Sequence, residues 1–372
     1  MTTKIQWTDD TVNPIHFLKF VDGKKQNGGH ICVKRSPACL NCYAEDANLN
    51  SRFFWKSGLD YQQGFVIKTL PEFLQIGNQK ITVFVNTHLF LSAYTKSIFE
   101  KFLNKVREIT LVTVIAVAEH DTDRKYFSTI LEGIPNLRLL ILDERDLMRL
   151  ANSRASKRVF MCSMTDLFGN WVPDSWLIKV FAIAAIAKNI TFQFLTKRED
   201  RLVEFFKSNP QEKIKREIQR LLLEDWLNRN QQHAEEQSQN LIWPIPNIEL
   251  GVTAENQHYA DLRIPKLLEC EAAVHWVSFE PLLGEITNLP YSIDWAVIGG
   301  ESGANARQTF VNQIASLAEL CKNQDVKVFV KQLGKNVVDQ QNRPIKIKSS
   351  HGDKEIPPEI LIQEYPIPKK SA

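Results

Sequence analysis

The chain has 372 residues, 44% hydrophobic and 24% charged, a composition that fits two globular domains or one large barrel with insertions and excludes disorder, collagen-like repeats and coiled coil for the chain as a whole. Lys and Arg number 46 against 43 Asp and Glu, so there is no overall electrostatic footprint of a nucleic-acid coat, although a local basic groove stays open. No apolar run approaches the ~20 residues of a membrane span, and the start MTTKIQWTDD lacks the apolar core of a secretory signal, which points to the cytoplasm.

In chain order, the first candidate strand is 4–7, running into Thr8 and Asp9. Residues 15–31 carry Lys19, Lys24, Lys25 and Gly28-Gly29 and read as a basic lid or a solvated hairpin, and a three-cysteine loop follows before a helix-like run at 43–50. From 75 to 147 the pattern becomes more apolar, with strands near 81–85, 109–117 and 137–142 and helices near 92–107 and 124–131. That block is expected to be a separate α/β insertion of packing or partner-binding type, because it would otherwise push the strand count beyond a closed eight-strand barrel. Residues 148–338 then alternate apolar runs with helical patterns. The runs are 158–162 into Ser163 and Asp166, 191–195 into Lys197 and Arg198, 248–252 into Thr253 and Glu255, 274–278 into Glu280, 295–298 into Gly299-Gly300-Glu301, and 326–330 into Lys331 and Gln332. Buried parallel strands whose C-terminal ends open on a site read this way. Helices are expected at 174–188, 201–229, 260–269 and 312–323, a mobile polar loop at 231–240, and a C-terminal tail over 339–372 that is Pro- and Lys-rich and extended or disordered from Pro357. Seven strands alternating with helices predict an α/β fold, a TIM-like full or partial (β/α) barrel carrying an α/β insertion, with segment 1–74 supplying the first strand and the cysteine loop.

Six cysteines are too few for a disulfide scaffold, and three of them cluster. Cys162, Cys270 and Cys321 stand singly and read as buried small hydrophobes. The segment His30-Ile31-Cys32-x6-Cys39-x2-Cys42 brings three thiols within eleven residues. Three thiolates can leave one iron of a [4Fe–4S] cluster open, or complete a structural zinc site with His30, or stand in the loop without a metal. A zinc deaminase is disfavoured: Ala38 separates Pro37 from Cys39, and the H-x-E at His233–Glu235 lies far downstream. At the strand ends, Lys197 and Arg198 can bind a carboxylate or phosphate, or pair with Glu199 and Asp200. Glu255, Glu280 and Glu301 would repel one another unless paired with Lys197, Arg198, Lys331 or Arg307, or unless they bind cationic groups. Asp166 can hold a ribose hydroxyl, Ser302-Gly303 can offer N–H groups to an anion, and Trp7, Trp276 and Trp295 read as core.

The blocks WTDDTVNP, CVKRSPACLNCYAE, RVFMCSMTDLF, FQFLTKRED, ELGVTAENQ, HWVSFEPLLG, AVIGGESG and VFVKQLG resemble, in order, those of the phage-type three-Cys-motif family of bacteria and phages, a radical S-adenosylmethionine-like family. The resemblance implies a [4Fe–4S] cluster on Cys32, Cys39 and Cys42, S-adenosylmethionine bound to the fourth iron, a 5′-deoxyadenosyl radical acting on an unidentified substrate such as a nucleic acid or nucleotide, and a dedicated partner protein. Gly299-Gly300-Glu301 resembles the element that holds the methionine amino group, but it follows about the sixth strand instead of the second. The spacing C-x6-C-x2-C also departs from the common C-x3-C-x2-C, and Tyr43 follows the last cysteine where an aromatic ordinarily precedes it. The alternative is a non-catalytic zinc- or cluster-stabilised binding protein that works with a partner.

Overall fold

The computed structural model describes residues 5–21, 24–42, 44, 64–67, 72–73, 75–77, 82–87, 96–109, 112–119, 134, 137–223, 231–289, 292–303, 305–345, 356–358 and 360–367. The helix-like run expected at 43–50, apart from residue 44, and the helix expected near 124–131 lie outside these residues. The protein is mixed α/β. Its larger sheet has seven strands in the order Asp10–Val12, Lys157–Met161, Ile190–Thr196, Ile248–Thr253, Val274–Phe279, Trp295–Gly299 and Lys327–Gln332, and every neighbouring pair is parallel. Helices Asp174–Ile186, Glu199–Lys207, Gln257–Leu268 and Val311–Lys322 lie between successive strands, and the alternate residues Leu250 and Val252, Val277 and Phe279, or Val328 and Val330 share one core with residues of those helices.

The sheet curls into a half-barrel, and a side chain from outside its strands marks the curl. In a flat sheet the first and fifth strands would stand about 19 Å apart, four spacings of ~4.8 Å. The Trp7 ring, just before the first strand, nevertheless lies 5.0 Å from Trp276 on the fifth, 6.0 Å from Trp295 on the sixth and 4.8 Å from Phe160 on the second. These rings, with Val274, Val297 and Phe329, form a separate apolar plug on the concave side. Gly251 is where the plug demands glycine: a Cβ there would lie 2.4 Å from the Trp276 indole. The first strand is therefore Asp10–Val12 and not the apolar run at 4–7, because the tryptophan of that run is spent inside the curl.

Two further expectations change. The helix expected over 201–229, of which 224–229 lie outside the described residues, is broken into Glu199–Lys207 and Gln211–Leu223, because Pro210 cannot continue a helix and Asn209 turns left-handed, with φ 49°. The polar stretch expected to be a mobile loop is the helix Gln231–Gln239, which buries Ala234 and Ser238 and packs on Gln211–Leu223.

The second sheet has six strands, in the order Lys24–Asn27, Ile15–Val21, Leu137–Leu142, Thr113–Val117, Thr82–Asn86 and Gly64–Ile67. The last four are mutually parallel. The inserted unit thus reaches beyond 75–147. Of residues 15–31, expected as a lid or solvated hairpin, the strands Ile15–Val21 and Lys24–Asn27 pair antiparallel, and the first also pairs antiparallel with Leu137–Leu142 and buries Ile15, Phe17 and Leu18. The C-terminal segment is extended and docked: Val330 N donates to Ile362 O and Glu364 N to Val328 O, each at 2.8 Å. Tyr365 packs on Trp295 and Phe329, lies under Arg158, and reaches Gln6 O. Among the described residues this segment, and no eighth strand, covers the free edge of Lys327–Gln332. No helix among them is long and apolar enough to cross a membrane.

One carboxylate is buried near the plug. Glu249 points inward from the start of its strand, and burial pushes its carboxyl up to about 7 against the hydrogen bond from Gln193 Nε2 at 2.9 Å and the charge of Arg158. The folded chain then holds a proton that the unfolded chain releases near 4.5. This contribution is full below pH 4.5, is lost as pH rises through about 7, and stays lost above it. Glu249→Gln should abolish this slope and raise stability above neutral pH by up to about 3 kcal/mol, read from denaturant midpoints on both sides of the window; an unchanged slope would refute it.

Candidate functional site

Side-chain alternation along the curled strands builds the site. Inward rows that start in or beside the plug end in polar groups at the C-terminal mouth: Phe160 leads to Cys162, Leu195 to Lys197, Gly251 to Thr253, Trp276 to Ser278 and Glu280, and Phe329 to Lys331. Together with the cysteine loop they enclose about 1360 Å³ of atom-free space, the open mouth included, and Cys32, Cys39 and Cys42 all line it. The floor is apolar, made of Ile5, Trp7, Phe160 and Leu195.

All three thiols are free and half-buried. Burial pushes the Cys32 thiol above its usual range, and the neighbouring charges of Asp166, Cys39 and Cys42 add to this. Among the described residues no three of His, Cys, Asp and Glu stand close enough together to hold one metal ion. His30 lies outside the cavity lining. Its Nδ1 is 2.8 Å from Ile15 O, so that nitrogen donates to the carbonyl, and burial holds the ring neutral with its pKa down at about 4. The cysteines therefore face a common space without converging, with His30, on a single point.

Most of the strand-end groups expected to hold a cofactor are occupied by other protein groups. Asp166 lines the cavity, yet its oxygens accept from Thr196 Oγ1 at 2.7 Å, Phe168 N at 3.0 Å and Lys197 N at 3.2 Å. Glu255 is fully buried behind the wall, where it accepts from Arg263 Nη1 at 2.9 Å and from Ala38 N at 3.4 Å. Glu280 takes Lys331 Nζ at 2.7 and 2.9 Å and Gln332 Nε2 at 2.8 Å. Glu301 is held by the Arg307 guanidinium and by Asn41 Nδ2 at 3.1 Å, which together outweigh burial and keep its pKa low. Gly299 is not part of the lining, whereas Gly300 is. A Cβ on Gly300 would lie 2.1 Å from Leu333 O, so close backbone packing accounts for that glycine. Lys197 differs from all of these. Burial works against its charge, but Cys39 and Cys42, with Glu255 and Cys32, outweigh it and raise its pKa. Among the described residues its ammonium has no hydrogen-bond acceptor and no carboxylate at ion-pair distance.

Three participants were not legible as such in the sequence. Cys162, expected to be an inert core residue, is buried but lines the cavity with the other three thiols, in a left-handed backbone conformation of φ 60°. The signal was present, since it ends an apolar run at the mouth as the other strand-end residues do. Arg198, expected to face a ligand or a helix-start partner, donates from Nη2 to Val33 O at 3.0 Å beside Cys32. Arg263 carried no signal, because a lone arginine in an amphipathic helix reads as surface. It is buried between Glu255 and Glu199, whose Oε2 lies 3.3 Å from its Nε. Arg263→Met should leave buried Glu255 without its guanidinium partner and Glu199 with only the half-exposed Arg35 at 3.7 Å, and destabilise the fold by roughly 3–5 kcal/mol; a loss under about 1 kcal/mol in equilibrium unfolding would refute this.

Comparison with known proteins adds one finding. No curated protein and no solved structure matches the chain significantly. A family model described as "Protein of unknown function (DUF5131)" matches residues 128–356. The match takes in the strand ends from Asp166 to Lys331 and stops short of the cysteine loop. Because it covers more than half of the chain, the protein belongs to this family of unknown function.

Proposed function

We propose that the protein is a radical S-adenosylmethionine-like iron–sulfur enzyme of the phage-type three-Cys-motif family, built on a TIM-like partial barrel and acting in the cytoplasm. The observation that carries this reading is a single one. Three free thiols from one short loop line the mouth of a curled parallel sheet, and an ammonium without an acceptor, Lys197, faces them. An iron–sulfur cube offers three separate irons to three cysteines, so its ligands stand farther apart than those of one zinc ion. That fits thiols that share a cavity without converging. When bound, an open-site [4Fe–4S] cluster with S-adenosylmethionine supplies a 5′-deoxyadenosyl radical that abstracts hydrogen from a substrate.

The chain's own residues then have distinct tasks. Cys32, Cys39 and Cys42 hold the cluster. Lys197 neutralises the thiolates and is free to bind the carboxylate of the cofactor, as an ammonium does in a site poor in water. The apolar floor of Trp7, Phe160 and Leu195 limits water at the reacting centre. The wall formed by Ser278 and the Glu280–Lys331 pair is left for the substrate, since no residue of the cysteine loop bonds to it among the described residues. The alternative reading, a zinc-held binding protein working with a partner, would need the thiols to draw together on one point with Cys162 or His30 as the fourth ligand.

Anaerobic purification separates the two. The first reading expects a brown protein with about four irons and four sulfides per chain, loss of both in Cys39→Ala, and release of 5′-deoxyadenosine from S-adenosylmethionine on reduction. Lys197→Met should keep the iron and weaken S-adenosylmethionine binding tenfold or more, about the worth of one charged hydrogen bond. A colourless protein carrying one zinc would overturn this reading.

A further inference from the structure

The cysteine loop is tied down on both sides of its thiols, and the ties come from the strand ends and the segment after Gly300. Thr165 Oγ1 donates to Ile31 O and Arg198 Nη2 donates to Val33 O, so the residues on either side of Cys32 are fixed. Next to Cys39, Ala38 N donates to Glu255. The short 3-10 turn Pro37–Cys39 and the residues up to Cys42 are also reached, directly and through Glu301, by one side chain. Arg307 Nη1 donates to Pro37 O at 2.9 Å, while its Nε, at 2.9 Å, and its Nη2 grip the Glu301 carboxylate. The same carboxylate accepts from Asn41 Nδ2, the residue before Cys42, and that amide also donates to Asn305 O at 3.0 Å.

Arg307 is itself anchored. It stands at the start of the strand Gln308–Phe310, which pairs in parallel with Asn336–Val338, and Asn336 Nδ2 reaches Ala306 O. Glu301 is set by Lys335 N, which donates to its carbonyl at 2.9 Å. A guanidinium fork can serve two acceptors at fixed angles at once, which the single point charge of a lysine cannot do.

We propose that Arg307 is the positioning residue of the three-cysteine loop: through Pro37 O, and through Glu301 to Asn41, it holds the turn bearing Cys39 and Cys42 in place before any metal or cluster arrives. The use of that turn rests on the cluster reading above, but its rigidity in the metal-free chain does not. Glu301 accordingly serves the loop and is not a direct ligand of the cofactor, although it closes the sequence Gly299-Gly300-Glu301.

The test is the rate at which iodoacetamide alkylates each cysteine of the reduced, metal-free full chain, resolved by peptide mass spectrometry. Arg307→Ala should speed Cys39 and Cys42 about tenfold or more relative to Cys32, whose ties to Thr165 and Arg198 are untouched, since charge-assisted hydrogen bonds are lost only from the first two. Arg307→Lys should recover less than the full protection. Arg149→Ala, in an exposed pair on the helix Glu144–Ala151, should change nothing. If Arg307→Ala unfolds the chain, Asn41→Ala and the charge-neutral double change Arg307→Met with Glu301→Gln replace it, with the same selective rise expected. Equal acceleration of all three cysteines, or none in folded variants, overturns the assignment. Anaerobic loading with iron and sulfide is the second readout. A wild-type chain that takes up no iron refutes the cluster reading while the alkylation result still decides the role of Arg307. A loaded wild type with variants that alkylate and load alike refutes the role and spares the cluster.

Discussion

Trp7 stands against Trp276 and Trp295, four and five strands away in the order of the sheet, and the rest of the molecule depends on that contact. Only a curled sheet can bring these rings together, and burying three indoles on its concave side supplies several kcal/mol toward the curl. Once it is curled, the period-two alternation of each strand sends its inward row from the plug to the mouth. The cavity is therefore not an added feature. It is the polar end of the rows whose other end is the plug.

A second constraint then decides what the mouth can do. Carboxylates crowded at strand ends are tolerated only when each has a counter-charge or donors. Arg263 serves Glu255, Lys331 serves Glu280 and Arg307 serves Glu301. Two of these three carboxylates have spare capacity that falls on the cysteine loop, at Ala38 and Asn41. Satisfying buried charge and fixing the loop are thus one arrangement, and among the described residues Lys197 stands outside it, with no carboxylate at ion-pair distance.

The inserted sheet acts on the same loop from its other end. It has its own apolar core, and the strand Ile15–Val21 belongs to it although the segment leads directly into the cysteines. Asp143 N donates to Pro14 O at 2.7 Å, Phe17 N donates to Gly29 O at 2.8 Å, and His30 is pinned to Ile15 O. Residues that read as a lid or a solvated hairpin are a brace, because the strand Ile15–Val21 pairs with a strand more than a hundred residues away. On the barrel side, Ser175 and Asn86 share the Glu119 carboxylate at 2.6 Å each and tie the two units together.

Local pattern was enough for the alternation of strands and helices, six of the seven parallel strands to within a residue or two, the strand Leu137–Leu142, the mouth as the place where polar residues gather, and the clustering of three cysteines in one loop. These follow from hydrophobic periodicity and spacing, which are properties of neighbouring residues. The pairing of Glu280 with Lys331 and of Glu301 with Arg307 was also within reach, since each basic residue stood among the few available at a strand end. Tertiary structure alone decided that Trp7 fills the curl instead of starting a strand, that Ile15–Val21 and Lys24–Asn27 join the inserted sheet, and that Arg263 is buried. Each of these depends on contacts between residues far apart in the chain, where burial and charge compensation outweigh local preference. The sequence by itself determined that polar groups gather at the C-terminal ends of the strands, and only the folded structure determined which of them line the cavity and which remain free to act there.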